Sequence, residues 1–294
     1  MSTQTNAPPL RVAVVSIGRS GTSVISRILH ELLAIDFGEE ADHIPRNHNN
    51  PDGYFENREL LELNERILAI VDGAVLKPPA MDAFLTLDAA TKNGLIEAAR
   101  ERLHFYAADK PRFGWKDPRL SLTFPIWNAA VPNVTAIIAF RDPRAVMRSI
   151  ADQLEVPAET LAGLWLEYYR RIFRHTADCP RVVVSFDQLL DNPLSVVKTI
   201  AGHLGIAADD AIETWERQLA GIVKPKQARH RTVAGVSDNK LPLDAETEAL
   251  YFYLRDIVKQ GLQPDYAHLD RLLDPNVAPI PATPKSWLAR LLGR

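Results

Sequence analysis

A hexapeptide of glycines, hydroxyl residues and one arginine, GRSGTS at residues 18–23, lies between an apolar run and a helical pattern. The free backbone N–H groups and the dipole of a helix N-terminus favour an anionic ligand. Gly18 and Gly21 allow the backbone to approach such a ligand closely, and Thr22 and Ser23 can add hydroxyl donors. The hexapeptide therefore predicts a phosphate-type site, the alternative being a glycine-serine turn that binds nothing.

The spacing within this loop differs from that of a nucleoside triphosphate site. A Walker A loop has the pattern Gly-x-x-x-x-Gly-Lys-Ser/Thr. Here the glycines are three positions apart, and the basic residue, Arg19, precedes the second glycine. No predicted strand ends in an acidic residue that could complete a kinase magnesium site. The pattern argues against an ATP-dependent kinase.

A second basic residue follows an apolar run in the segment IIAFRDPRAVMRSI. Arg141 stands at the end of the run, and Ser149 comes eight residues later. An arginine at the carboxyl end of a strand can form charge-assisted hydrogen bonds to a phosphate. A serine about two helical turns further on can complete the site. A structural ion pair between Arg141 and a carboxylate is the alternative.

Alternating strands and helices must position these residues. Apolar runs rich in β-branched residues predict strands that are buried on both faces. They are Arg11–Ile17, Val134–Phe140 and Arg181–Phe186, with a short strand that runs into a turn at Phe113–Leu120. Helical spacing of apolar residues is found at Arg58–Asp72, Ala89–Ala108 and Leu161–Ala177, and after each long apolar run. The predicted fold class is α/β, with a central, mostly parallel sheet flanked by helices.

One domain is predicted for residues 10–273, preceded by a flexible leader at residues 1–9. The four prolines of DPNVAPIPATP predict a linker at the start of segment 274–294, followed by a short C-terminal helix, SWLARLLGR. This helix is expected to dock on its own domain or on a partner, or to make weak peripheral contact with a membrane.

Composition and charge restrict the function class. Thirty-four Lys and Arg against 37 Asp and Glu give a net charge of −3, which argues against a broad nucleic-acid surface. A single cysteine, Cys179, allows neither an intrachain disulfide nor a cysteine-based metal site. The N-terminus is polar, and no apolar run is long enough for a transmembrane helix. A cytoplasmic protein is therefore expected.

The two basic segments resemble those of sulfotransferases. IGRSGTS is similar to the loop that binds the 5′-phosphosulfate of 3′-phosphoadenosine 5′-phosphosulfate (PAPS), and FRDPRAVMRS to the segment that binds its 3′-phosphate. The resemblance implies a P-loop-type three-layer fold, PAPS as the donor, and no required metal. It covers about residues 11–205, and a looser match follows at 224–231. The donor-binding residues that it implies are Gly18, Arg19, Ser20, Gly21, Thr22, Ser23, Arg141, Ser149, Arg229 and Arg231.

Sulfuryl transfer needs a base for the acceptor proton and cations for the oxygens that gain charge. FGEEADHIPR resembles a segment of tyrosylprotein sulfotransferases, and the resemblance implies that Glu40, 21 positions after Arg19, is the general base. The same resemblance makes Lys116, in WKDPR, a catalytic lysine, and Arg19 a ligand of the sulfate. The other candidates for the base are Glu56 in GYFEN, His43 and His48.

The predicted function is transfer of a sulfuryl group from PAPS to a hydroxyl or amine acceptor. The alternatives are a P-loop kinase-like phosphotransferase, or a nucleotide-binding module of the same fold that has lost catalysis. The acceptor is expected to be a small molecule, a lipid or a glycan precursor. Its specificity is expected to lie in residues 34–57, in Lys77–Thr86 and in the region after Gly205.

Overall fold

The centre of the fold is a sheet of four parallel strands. In the computed structural model, residues 8–47, 50, 53–208, 211–224 and 241–273 are described. The strands are β1 Leu10–Val15, β2 Arg112–Lys116, β3 Val134–Phe140 and β4 Arg181–Ser185. Their order in the sheet is β2-β1-β3-β4. Val14 pairs with Lys116, Val15 with Ile138, and Phe140 with Ser185, so all four strands end at the same edge.

Helices cover both faces of this sheet. They are α1 Thr22–Leu33, α2 Arg58–Ile70, α3 Ala89–Ala107, α4 Leu120–Ala130, α5 Pro143–Leu154, α6 Leu164–His175, α7 Phe186–Asp191, α8 Pro193–His203, α9 Ile212–Ile222, α10 Ala245–Lys259 and α11 Tyr266–Leu272. Val12 and Val14 of β1 belong to a core with helices α1, α7, α8 and α9, whereas Ala13 and Val15 belong to the opposite core with α2–α6, α10 and α11. The expected α/β fold, a parallel sheet flanked by helices, is therefore confirmed.

The segment that joins β2 to β3 differs from its prediction. The short strand that was expected to run into a turn over Phe113–Leu120 is present as β2, which ends at Lys116, and the turn containing Pro118 follows it. Leu120 is already the first residue of α4, and Pro125 lies inside that helix. The sequence did not predict α4, because a proline-bearing apolar segment does not look helical.

The described residues of the connection at 34–57 make both local and long-range contacts. They include a 3₁₀ turn at Glu40–Asp42, isolated bridges that pair His43 with Asn57 and Asn47 with Asn50, and a bridge from Asp36 to Phe113 of β2.

α6 begins at Leu164, later than the predicted Leu161, because Gly163 adopts a left-handed conformation with a φ of 81°. Among the described residues after Gly205, the structure contains helices α9–α11.

The division into leader, domain and C-terminal segment stays a prediction. Residues 1–7 and 274–294, which include the proposed terminal helix, lie outside the described part of the chain. Within the part that is described, none of the helices combines the length and the apolar character that crossing a bilayer requires.

Candidate functional site

The loop at residues 18–23 connects the end of β1 to the first turn of α1. Gly21 is the N-cap residue of α1, with a φ of 82°, and a Cβ atom there would overlap the ring of Phe186. Glycine is therefore required at this position both by the backbone conformation and by the space. Arg19 is also left-handed, with a φ of 68°, and its Nε donates to Ser149 Oγ at 2.9 Å.

Arg141 follows β3 directly and lies against this loop. Asp142 caps α5 by accepting from the backbone N–H of Arg144 at 2.7 Å, which fixes the chain just after the arginine. Arg141 Nη1 donates to the carbonyl of Arg19 at 3.1 Å, and its guanidinium lies 5.0 Å from the ring centre of Phe186. Burial lowers the pKa of Arg141, and the charge of Arg19 acts in the same direction.

A buried ion pair lies beside the loop. Lys116, the last residue of β2, places Nζ 2.6 Å from Glu56 Oε1 and 3.3 Å from Ser23 Oγ. The side chains of Lys116 and Glu56 are 2% and 11% exposed. Asn57 caps α2 by accepting from the N–H of Glu59 at 3.0 Å, so Glu56 is held at the entry to that helix. The two groups are 60 residues apart in sequence.

A network of hydrogen bonds holds the turn after Lys116. Asp117, which is buried, accepts from Asn64 Nδ2 at 2.9 Å and from the backbone N–H of Arg119 at 3.0 Å. Asn64 Oδ1 in turn accepts from Thr123 Oγ1 and Trp127 Nε1. Burial, with the nearby charge of Glu56, raises the pKa of Asp117 to about 6.

The sequence did not single out Asn64, although it carried a signal. Asn64 lies on α2 between the buried residues Leu60, Leu63 and Ile67, so it is a polar side chain on an apolar stripe. Such a residue needs a hydrogen-bond partner, and here the partners come from the turn that positions Lys116.

Other candidates lie apart from this cluster. Glu40 is in the 3₁₀ turn, its side chain is 75% exposed, and Arg46 Nη2 lies 2.7 Å from its Oε1. His43 Nε2 lies 2.8 Å from the carbonyl of Phe37. Neither Glu40 nor His43 lines the cavity described below, and the catalytic roles assigned to them stay predictions. His48, Arg229 and Arg231 lie outside the described residues.

A cavity of about 740 Å³ joins the loop, Arg141 and the ion pair. Ser20 is buried and does not line it. The polar and charged residues that do are Arg19, Thr22, Ser23, Asn47, Asn50, Tyr54, Glu56, Lys116, Arg119, Arg141, Ser149, Gln153 and Lys224. In the part of the chain that the structure describes, no three His, Cys, Asp or Glu side chains form a metal-binding group. That no metal is required stays a prediction.

Three solved structures that the chain resembles are sulfotransferases. Sulfotransferase STF9 from Mycobacterium avium matches with a TM-score of 0.50 and 16% identity, over 85% of this chain and 78% of that one. The sulfotransferase domain of the olefin synthase of Synechococcus PCC 7002 matches with a TM-score of 0.46 and 17% identity, over 86% and 98%. Mouse sulfotransferase SULT7A1, complexed with PAP, matches with a TM-score of 0.44 and 12% identity, over 92% and 90%.

At these identities the structural matches show the fold alone. No curated protein matches the chain. The model of the sulfotransferase family matches residues 9–210, more than half of the sequence, and this range contains the loop, the Lys116–Glu56 pair, Arg141 and Ser149. The chain is a member of the sulfotransferase family.

Proposed function

We propose that this chain transfers a sulfuryl group from PAPS to a hydroxyl or amine acceptor. The observation that supports this most directly is the Lys116–Glu56 contact, which lies in the same cavity as the 18–23 loop, Arg141 and Ser149. In-line transfer needs a cation for the oxygens that gain negative charge and a base for the acceptor proton. The pair brings one group of each kind to a single point.

The residues of the cavity fit the donor. Gly21, Thr22 and Ser23 at the N-terminus of α1 line the cavity, and Arg19 adds a positive charge to the N–H groups there. Arg141 and Ser149, which both contact Arg19, are proposed to bind the 3′-phosphate. Because Arg141 is buried beside a like charge, an anionic ligand stabilises it there.

PAPS, when bound, supplies the sulfuryl group and a phosphate that can leave. Glu56 is proposed to take the proton of the acceptor hydroxyl as the acceptor oxygen forms its bond to sulfur. Lys116 Nζ stabilises the electron pair that remains on the phosphate oxygen when the old sulfur–oxygen bond breaks. The proton then resides on Glu56 and the negative charge on adenosine 3′,5′-bisphosphate (PAP). Glu40 is the second candidate for the base, on its sequence position alone.

Thermal unfolding separates this function from its alternatives. We expect PAP without magnesium to raise the midpoint, and Arg141→Ala to abolish most of that rise. Stabilisation by magnesium–ATP and not by PAP would instead indicate a kinase-like phosphotransferase.

Transfer of radiolabelled sulfate from PAPS into extracts of the source cell then tests catalysis. A labelled product is expected, and its identification names the acceptor. PAP binding without transfer to extracts or to any alcohol, phenol or amine in a panel would indicate a binding module that has lost catalysis.

A further inference from the structure

Part of the cavity wall is apolar, in contrast to the charged residues at the edge of the sheet. The residues of this apolar wall come from α2, α5, α6 and the segment before α3. They are Leu61, Val75, Leu76, Leu154, Leu164 and Tyr168. Leu76 and Leu154 are each 42% exposed. Single exposed leucines are common on protein surfaces. Two that line the same cavity, beside further apolar residues, indicate a surface that a ligand covers.

The turn that carries Leu76 is fixed from within. Ala74 and Lys77 exchange backbone hydrogen bonds at 2.7 and 2.9 Å, which closes a tight turn with Val75 and Leu76 at its tip. The hydroxyl of Tyr168, buried in α6, donates to the carbonyl of Val75 at 2.7 Å. The turn is therefore preorganised, so an occupant does not have to order it.

A second contact fixes the chain beyond the turn. Arg171, one helical turn after Tyr168 on α6, donates to the carbonyl of Pro79 through Nε at 3.2 Å and through Nη2 at 2.5 Å. The segment from Ala74 to Pro79 is thus attached to α6 at both of its ends. Lys77–Thr86, one of the three regions expected to determine acceptor specificity, begins within this segment.

The chemistry of this wall discriminates between acceptors. The carbonyl of Val75 already accepts from Tyr168, and the leucines offer no polar atom. A sugar placed here would exchange its water contacts for methyl groups and leave hydroxyls unpaired. An aliphatic or aromatic body would instead bury the exposed leucines.

From this wall we infer that the acceptor is a hydroxyl group on an apolar body, an aliphatic or aromatic alcohol, and that residues 74–77 form its specificity turn. The inference rests on the proposed sulfuryl transfer. It favours the lipid-like and aromatic acceptors over a glycan precursor. The apolar body packs against Leu61, Leu76 and Leu154, and the hydroxyl reaches Glu56 and Lys116.

Primary alkanols of increasing length, with glucose for comparison, test the acceptor class with labelled PAPS as the donor. Each added methylene that is buried is expected to raise kcat/KM about fourfold, until the apolar part of the cavity is full. A rate that does not depend on chain length, or a better rate with glucose, would overturn the inference and leave sulfuryl transfer intact. Absence of both PAP binding and transfer would instead refute the proposed function.

Thermal unfolding of the PAP-saturated protein with the same alkanols measures how their affinity depends on chain length, without turnover. If neither affinity nor rate rises with length, the apolar wall does not select the acceptor.

Leu76→Ser tests the turn itself, with Leu85→Ser as the matched control. Leu85 is 70% exposed and does not line the cavity. Leu76→Ser is expected to raise the KM for octanol about tenfold, with kcat and PAP affinity unchanged, because the side chain contacts the apolar body and not the reacting atoms. Tyr168→Phe, which releases the turn, should flatten the length series. Equal effects of the two serine variants would overturn the role of the turn.

Discussion

Replacing Glu56 with glutamine keeps the size of the side chain but removes its charge and its capacity to take a proton. If Glu56 is the general base, kcat falls by about 10²- to 10⁴-fold, the usual contribution of a positioned base. The affinity for PAP should not fall, because a negative charge beside Lys116 opposes an anionic ligand. A lower kcat with equal or tighter nucleotide binding is therefore the expected signature.

The same substitution is expected to lower the free energy of unfolding. The side chain of Lys116 is 2% exposed, and its ammonium lies 2.6 Å from the carboxylate that is lost. Removing one partner of a buried ion pair costs about 3–5 kcal/mol. Glutamine still offers an oxygen to Lys116, so a loss of about 1.5–3 kcal/mol, that of a hydrogen bond to a charged group, is expected. Denaturant unfolding with and without PAP measures this loss, and bound PAP should restore part of it.

Glu40→Gln is the matched control for this experiment. Its side chain is 75% exposed and lies outside the cavity, so its substitution should leave kcat within about twofold, as surface changes usually do. A large fall in kcat for Glu40→Gln and none for Glu56→Gln would refute the role of the ion pair and assign the base to Glu40. If neither variant lost activity, a histidine base at His43 or His48 would be indicated.

Three further variants test the 18–23 loop, Arg141 and the turn after β2. Gly21→Ala should lower the free energy of unfolding by at least 1–2 kcal/mol, the cost of a left-handed alanine, and weaken PAP binding, since its Cβ overlaps Phe186. Unfolding and titration check this. Gly94→Ala, inside α3 with no neighbouring atom, is the control, and it should raise stability by about 0.5–1 kcal/mol without changing PAP binding. Arg141→Ala should weaken PAP binding by about 10- to 100-fold, the value of a charged hydrogen bond, and unchanged affinity in calorimetry would refute the 3′-phosphate assignment. Burial raises the pKa of Asp117 from 3.8 to about 6. The protonated carboxyl therefore stabilises the fold fully below pH 3.8, and this stabilisation is lost as the pH rises through 6. Asp117→Asn should remove this slope from the pH profile of the unfolding midpoint, and a profile parallel to that of the native chain would contradict the raised pKa.

The parts of the fold that could be predicted are those in which neighbouring residues carry the information. β3 was predicted with its observed bounds, because Val134–Phe140 is a run of six apolar residues and one β-branched threonine between a turn and a helix start. Such a run predicts a buried strand. The loop at 18–23 and the Arg141–Ser149 segment were found for the same reason, since each signal lies within ten residues. Asp142 and Pro143, a helix cap and a first-turn proline, mark the start of α5 in the sequence itself.

The parts that could not be predicted depend on contacts between distant segments. Nothing near Glu56 shows that it meets Lys116, because that contact follows from the order of the strands and the path of the 34–57 connection. The sequence ranked Glu40 before Glu56 on a resemblance in spacing, and spacing does not report on exposure. The hydrogen bonds of Asn64 could not be predicted either, because its partners come from the turn after β2 and from α4, a helix that the sequence did not predict.

The two ends of the cavity carry different arrangements of charge. At one end Arg19 and Arg141 lie together, and the pKa of Arg141 is lowered mainly by burial, with the charge of Arg19 acting in the same direction. A doubly anionic phosphate offsets both effects, so this end favours binding. At the other end Lys116 is balanced by Glu56, and the pair contributes little net field to an incoming anion. In the proposed transfer the pair would act differently once the acceptor proton moves to Glu56, because Lys116 would then be an unbalanced cation beside the oxygen that gains charge. Positive charge that appears as the reaction proceeds stabilises the transition state more than the bound donor, which is the condition for a gain in kcat.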